Sequence, residues 1–154
     1  MHPFDAHTLS IIYRLLHLVG MAILVGGAVF VAAPTVTGMP ERQWRLVDAA
    51  ARYEGLFWPI IALQVLTGIG NLGVLGASVP IPTSEWGTFL AIKLTLVLFA
   101  LFLSLIRTGL VAQLIATPGA SLLPPGARLL RSAYLGTALV LGLVVFMAVR
   151  LAHG

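Results

Sequence analysis

The sequence predicts an all-α integral membrane protein, a bundle of four transmembrane helices with both termini outside. Of its 154 residues, 59% are hydrophobic and only 9% are charged, whereas charged residues make up about a quarter of an ordinary soluble domain. Crossing a bilayer takes about 20 apolar residues, and four stretches are long enough to do so. They cover residues 8–33, 56–76, 87–112 and 129–152, so a single transmembrane domain accounts for nearly the whole chain.

The distribution of arginines predicts the orientation. The connection over residues 77–85 has neither Lys nor Arg. Because short cationic loops stay on the cytoplasmic side, we expect the first and third connections to be cytoplasmic and both termini to face outward from the inner membrane. The net charge of +4 reflects this topology and does not indicate a nucleic-acid partner, since the cations form no cluster on a soluble face. Six arginines lie in or beside the other two connections: Arg42, Arg45, Arg52, Arg107, Arg128 and Arg131.

The first segment predicts a retained helix and not a signal peptide. It follows MHPFDAH, which contains no Lys or Arg. The apolar run of a signal peptide is only about 7 to 15 residues long, shorter than residues 8–33. Cys is absent from the chain, which excludes disulfides and thiolate metal sites.

The first connection predicts a short amphipathic helix over residues 40–53, lying on the inner surface and leading into the second segment. Pro40 suits the first position of a helix, and Trp44, Val47 and Ala51 follow at helical spacing. The second connection, GASVPIPTSE, is expected to be extended. The third, TPGASLLPPGAR, is expected to be irregular because it contains three prolines.

Polar and small residues predict which face of each segment points into the bundle, because a polar side chain in lipid needs a partner. Small residues on such a face let a neighbouring helix approach closely. Trp44, Trp58 and Trp86 are expected at the membrane interfaces. The four inward stripes are His17, Gly20, Leu24, Gly27 and Ala28; Gln64, Thr67, Gly68 and Asn71; Lys93, Ala100, Ser104 and Arg107; and Tyr134, Thr137, Ala138 and Gly142.

Three of these residues predict a candidate site in the outer half of the bundle. At 1.5 Å per residue, His17 and Lys93 lie about 13 and 10 Å below the outer surface, and Asn71 lies slightly above them. The five carboxylates all fall outside the predicted segments. The charge of Lys93 therefore needs a partner: Glu85 near the surface, water, another subunit or an anionic ligand. Alternatively, Lys93 loses its proton and is neutral.

Each candidate residue also has an ordinary structural interpretation. Lys93 can reach the outer surface by extending its side chain, and His17 can be a neutral hydrogen-bonding residue or a ligand to haem iron or copper. Near the outward termini, His2, His7 and His153, with Asp5, are either solvated or a group that collects copper. These alternatives stay open at the level of the sequence.

The stretches LHLVGMAILVGGAVF, VLTGIGNL and WGTFLAIKLTLVLFALFLSLIR resemble the copper-resistance CopD membrane domain family. In that family a His precedes a Gly-rich stretch in one helix, and a later helix carries a WG and LxxKL pattern. The same arrangement is similar to the HemJ type of protoporphyrinogen oxidase. The resemblance covers three of the four segments.

The resemblance implies a CopD-like inner-membrane protein that binds copper or haem b in an outward-facing polar pocket, for copper handling or membrane redox. In the HemJ-like alternative, His17 and Lys93 are the key pair and the propionates of a porphyrin meet Lys93 or Arg14. A third interpretation is a non-catalytic accessory subunit, in a homo-oligomer or a larger membrane complex, that completes its polar contacts against a partner.

Overall fold

The computed structural model of the protein describes residues 6–33, 40–75, 84–117 and 124–153, with side chains described over 7–33, 45–73, 84–117 and 126–152. These residues form four long α-helices. Each contains a stretch that is long and apolar enough to cross a membrane, so the prediction of an all-α, multi-pass membrane bundle is confirmed. The helices are α1 (Ala6–Ala32), α2 (Pro40–Leu75), α3 (Glu85–Ala116) and α4 (Pro124–His153).

The four helices form a ring in chain order. The main packing is between α1 and α2, between α3 and α4 and between α1 and α4, while α2 and α3 pack more sparsely. Four crossings bring both termini to the same end of the bundle. We call this end, which also holds the α2–α3 connection, the terminus end. The opposite end, which holds the other two connections, is the arginine end.

The stripe of small residues on α1 faces α2, as predicted. A Cβ atom added at Gly27 would lie 2.5 Å from Cε2 of Tyr53, and one added at Gly20 would overlap the amide of Gln64. Leu24 and Ala28, between and beside these glycines, are fully buried. The glycines therefore let the two helices approach closely enough for side chains of α2 to rest on the backbone of α1.

The second helix differs from the prediction. No break separates an amphipathic helix over 40–53 from the membrane segment, because α2 is continuous from Pro40 to Leu75. Its buried stripe runs without interruption through Val47, Ala50, Tyr53 and Phe57. Gly55 lies at the predicted boundary and Pro59 lies inside the same helix, where they cost about 1 and about 3 kcal/mol relative to Ala. Packing against the bundle outweighs these costs.

The third and fourth helices are longer than the predicted segments. The α3 helix begins one residue after Ser84, whose Oγ accepts a hydrogen bond from the backbone N–H of Gly87 at 3.0 Å, a common N-terminal cap. The α4 helix begins at Pro124, so the prediction of an irregular chain up to Arg128 is wrong. Proline is well tolerated in the first helical turn, where its missing N–H has no partner to lose. Gly142, predicted on the inward stripe of α4, is exposed, and its neighbour Leu141 is buried instead.

Candidate functional site

The structure contains two layers of polar side chains, one in each half of the bundle. The layer towards the arginine end centres on an ion pair between Glu54 of α2 and Arg107 of α3, with Nε of Arg107 2.6 Å from Oε1 of Glu54. Both residues are buried, with 7% and 1% of their surface exposed. The prediction that no acidic residue lies within a membrane segment is therefore wrong, and so is the assignment of Arg107 to the inner end of its helix.

The Glu54 carboxylate receives hydrogen bonds from three further donors. Nη2 of Arg107 donates to Oε2 at 3.2 Å, the hydroxyl of Thr108 donates to Oε2 at 2.6 Å and the hydroxyl of Tyr134 donates to Oε1 at 2.6 Å. Nη1 of Arg107 donates to Thr137 of α4 at 2.9 Å. Both carboxylate oxygens therefore have hydrogen-bond donors, and the ion pair ties α2, α3 and α4 together.

Three aromatic rings surround the guanidinium of Arg107. Its central carbon lies 5.0 Å from the ring centroid of Tyr53, 4.5 Å from that of Phe57 and 4.9 Å from that of Tyr134. Cations within about 6 Å of a ring centroid are attracted to the face of the ring. The hydroxyl of Tyr53 also donates to the carbonyl of Leu24 at 2.7 Å, which connects this layer to α1.

Trp58 belongs to the same layer. Its indole N–H donates to the hydroxyl of Thr108 at 3.2 Å, and its side chain is half-buried. Its predicted position as an interfacial residue is wrong, because a hydrogen-bond partner on α3 draws it into the bundle.

The layer towards the terminus end is built around His17 of α1. Nδ1 of His17 lies 2.9 Å from the hydroxyl oxygen of Thr67, which also lies 2.8 Å from the carbonyl of Leu63 and 3.2 Å from that of Gln64. A hydroxyl has one proton, so when Thr67 donates it to a backbone carbonyl the hydroxyl accepts from Nδ1–H, and Nε2 is then the acceptor of the neutral imidazole. Thr67 therefore contacts one ring nitrogen of His17 and leaves the other, Nε2, for a different partner.

Gln64 holds the backbone beside His17. Its amide nitrogen donates to the carbonyl of His17 at 3.0 Å, and this contact lies over Gly20. Gln64 is 5% exposed, and its Oε1 is buried without a hydrogen-bond partner among the described residues. The layer therefore offers a buried amide oxygen without a described partner, Oε1 of Gln64, beside His17.

Lys93 lies on α3 towards the terminus end, in the same half of the bundle as His17. Lys93 is half-buried and makes no ion pair with the residues that the structure describes. Asn71 is half-buried on the face of α2 that carries Gln64, but no hydrogen bond joins it to His17 or Lys93 in the described part of the chain. Arg14 is exposed on α1.

The histidines predicted near the outer surface do not form a described metal centre. His7 is exposed in the first turn of α1, while His2 and the side chain of His153 lie outside the described residues. Within the described residues, no group of three or more His, Cys, Asp or Glu side chains could hold a metal ion. The copper-collecting group therefore stays a prediction.

Sequence reasoning missed Glu54 and Thr108 as members of a buried layer. One signal could have found the pair, because Arg107 lies on the predicted inward stripe of its segment and an inward arginine requires a carboxylate at the same depth. Glu54 stands two residues before the predicted start of segment two and is the acid closest to that depth.

Comparison of the chain with protein-family models, with curated proteins and with solved structures finds no match. The resemblance of three helices to CopD and HemJ proteins is therefore an expectation only, and the geometry of the two layers is the basis for a function.

Proposed function

We propose that this multi-pass membrane protein binds a metal-containing cofactor in its terminus-end layer, with Nε2 of His17 as the protein ligand. The supporting observation is the contact between Nδ1 of His17 and the hydroxyl of Thr67 at 2.9 Å. Metal-bound imidazoles usually donate their other ring N–H to a protein group, which orients the ring and raises the basicity of the ligand nitrogen. With its hydroxyl proton on the carbonyl of Leu63, Thr67 accepts from Nδ1–H in this way and leaves the lone pair on Nε2 for the metal.

Haem fits the described residues better than copper. A haem iron can be held by one axial histidine, whereas a copper site usually takes several ligands, and His17 is the described imidazole in this layer. A half-buried Lys93 without a described ion pair suits the carboxylate of a haem propionate. Bound haem supplies one-electron redox chemistry, so the proposal is membrane redox, with copper handling as the second outcome of the test.

The test is the visible spectrum of the detergent-purified protein, oxidised and after reduction with dithionite. We expect a Soret band in the wild type, its loss in His17→Ala, and no change in His7→Ala, which removes an exposed histidine of the same helix. A flat wild-type spectrum, both as purified and after addition of haem, would contradict haem binding. Copper analysis of the same samples then distinguishes copper at His17 from no metal at all.

The proximity of Lys93 to His17 favours a second candidate, the HemJ-like oxidation of a porphyrinogen. The appearance of protoporphyrin fluorescence on incubation with protoporphyrinogen would support this activity. We expect the rate to fall in Lys93→Met and to be unchanged in Arg45→Met, which removes an exposed cation at the other end of the bundle. A wild-type rate equal to that of empty membranes would rule the activity out.

A further inference from the structure

A groove with a volume of about 450 Å³ lies between α3 and α4 in the half of the bundle near the arginine end. Along α3 it extends from Leu103 to Gln113, which is about 15 Å at 1.5 Å per residue. That length equals half of a hydrocarbon core about 30 Å thick. The groove therefore spans one leaflet, from the bilayer centre to the headgroups at the arginine end.

Two glycines open the groove. Gly109 of α3 and Gly136 of α4 both line it, and a Cβ atom added to either would meet no atom within 4 Å. Most of the other lining side chains are apolar. Arg107 also borders the groove, but its guanidinium is engaged with Glu54 and Thr137. The interior of the groove thus suits a hydrocarbon chain.

The mouth of the groove at the arginine end is cationic. Arg128 is exposed and lies one helical turn before Ser132, which lines the groove, so it stands on the same face of α4. Arg131 lies on the other face of α4 and does not line the groove. No acidic residue occurs in α4, and the only one in α3, Glu85, is at the other end of the bundle.

We propose that this groove is a binding site for an anionic phospholipid, with the phosphate at Arg128 and one acyl chain between α3 and α4. Guanidinium groups match the geometry of phosphate oxygens, and basic pockets between transmembrane helices bind anionic headgroups. The inference does not depend on the cofactor proposed at His17, which lies in the other half of the bundle.

Native mass spectrometry of the delipidated protein, titrated with phosphatidylglycerol or phosphatidylcholine, tests the site. We expect the wild type to bind one phosphatidylglycerol more tightly than phosphatidylcholine. Each lysine or arginine near a headgroup contributes about 1 kcal/mol, which corresponds to a loss of about fivefold in affinity for Arg128→Ala. Arg131→Ala, on the other face of α4, should bind like the wild type. Arg45→Ala, which removes an exposed cation at the same end of α2, should bind like the wild type.

Gly136→Leu tests the acyl-chain half of the site independently. It fills the groove from a position where the protein leaves open space, and we expect it to abolish the tight adduct of both lipids. Gly142→Leu, on the exposed surface of α4 outside the groove, is the matched control and should retain it. Equal phosphatidylglycerol binding by the wild type, Arg128→Ala and Gly136→Leu would overturn the proposal, as would a dimer that Gly136→Leu dissociates.

Discussion

A buried charge is stable in a membrane bundle only where a partner and hydrogen bonds replace its water. Glu54 and Arg107 satisfy this condition through each other and through donors and acceptors on α3 and α4. Replacing one member leaves the other as a buried charge without a partner, whereas replacing both leaves no buried charge that needs one. The two changes should therefore interact strongly in a double-mutant cycle.

Glu54→Gln and Arg107→Met are each expected to destabilise the protein by about 3–5 kcal/mol. The double variant should lose clearly less unfolding free energy than the sum of the losses in the two single variants. The measurement is the free energy of unfolding in mixed detergent micelles during a titration with sodium dodecyl sulfate. The control is the exposed pair of Asp48 and Arg52, whose side chains are 63% and 79% exposed. Substituting either residue should change the free energy of unfolding by less than about 1 kcal/mol. Additive losses at the buried pair would contradict this account.

The two buried tyrosines should differ in the cost of losing their hydroxyls. The Tyr134 hydroxyl donates to a charged carboxylate, and the Tyr53 hydroxyl donates to a neutral carbonyl. Hydrogen bonds to charged groups contribute about 1.5–3 kcal/mol and those to neutral groups about 0.5–1.5 kcal/mol. In the same unfolding experiment, Tyr134→Phe should therefore be more destabilising than Tyr53→Phe, and the reverse order would contradict the assignment of Tyr134 to Glu54.

At the scale of helices, the contact between α1 and α2 depends on which positions of α1 are glycine. Gly26 and Gly27 are adjacent in sequence but differ in surroundings, because a Cβ added at Gly26 meets nothing within 4 Å and one added at Gly27 meets the Tyr53 ring at 2.5 Å. That ring also lies against Arg107 and is hydrogen-bonded to α1. It has little freedom to move away.

Gly27→Ala is expected to destabilise the protein by about 1–3 kcal/mol, the usual cost of overpacking a filled core. Gly26→Ala should be neutral or stabilising by up to about 1 kcal/mol, because alanine is the better helix former. Unfolding free energies of the two variants, measured side by side, check the difference. Equal effects would mean that helix propensity outweighs packing at this contact.

The helices themselves could largely be predicted from the sequence, because length and hydropathy are local properties of each segment. The continuity of α2 could not, since Pro40 to Tyr53 has the amphipathic pattern of a surface helix until Val47, Ala50 and Tyr53 are seen to pack inside the bundle. The pairing of Glu54 with Arg107 joins residues 53 positions apart, and no local pattern encodes such a contact. The His17 stripe was predictable because its small residues lie within three helical turns.

At the scale of the whole molecule, the two polar layers are separated along the bundle. Glu54 and Gln64 are ten residues apart on α2, or about 15 Å, and the intervening Phe57 and Ile61 are buried apolar residues. The arginine-end layer connects all four helices and has its charges satisfied, whereas the terminus-end layer keeps the amide oxygen of Gln64 buried without a partner among the described residues. The arginine-end layer is suited to hold the bundle together, and the terminus-end layer is suited to bind a cofactor.

The orientation of this bundle in the membrane is testable because the chain contains no cysteine. Positive residues stay on the cytoplasmic side, so the arginine end should face the cytoplasm and the terminus end the outside. Glu85→Cys and Thr117→Cys introduce single thiols at exposed positions at the two ends of α3. In intact cells, a membrane-impermeant maleimide should label Glu85→Cys and leave Thr117→Cys unlabelled, while both react after the membrane is opened. Labelling of Thr117→Cys alone in intact cells would show the inverted orientation and would place the His17 layer on the cytoplasmic side.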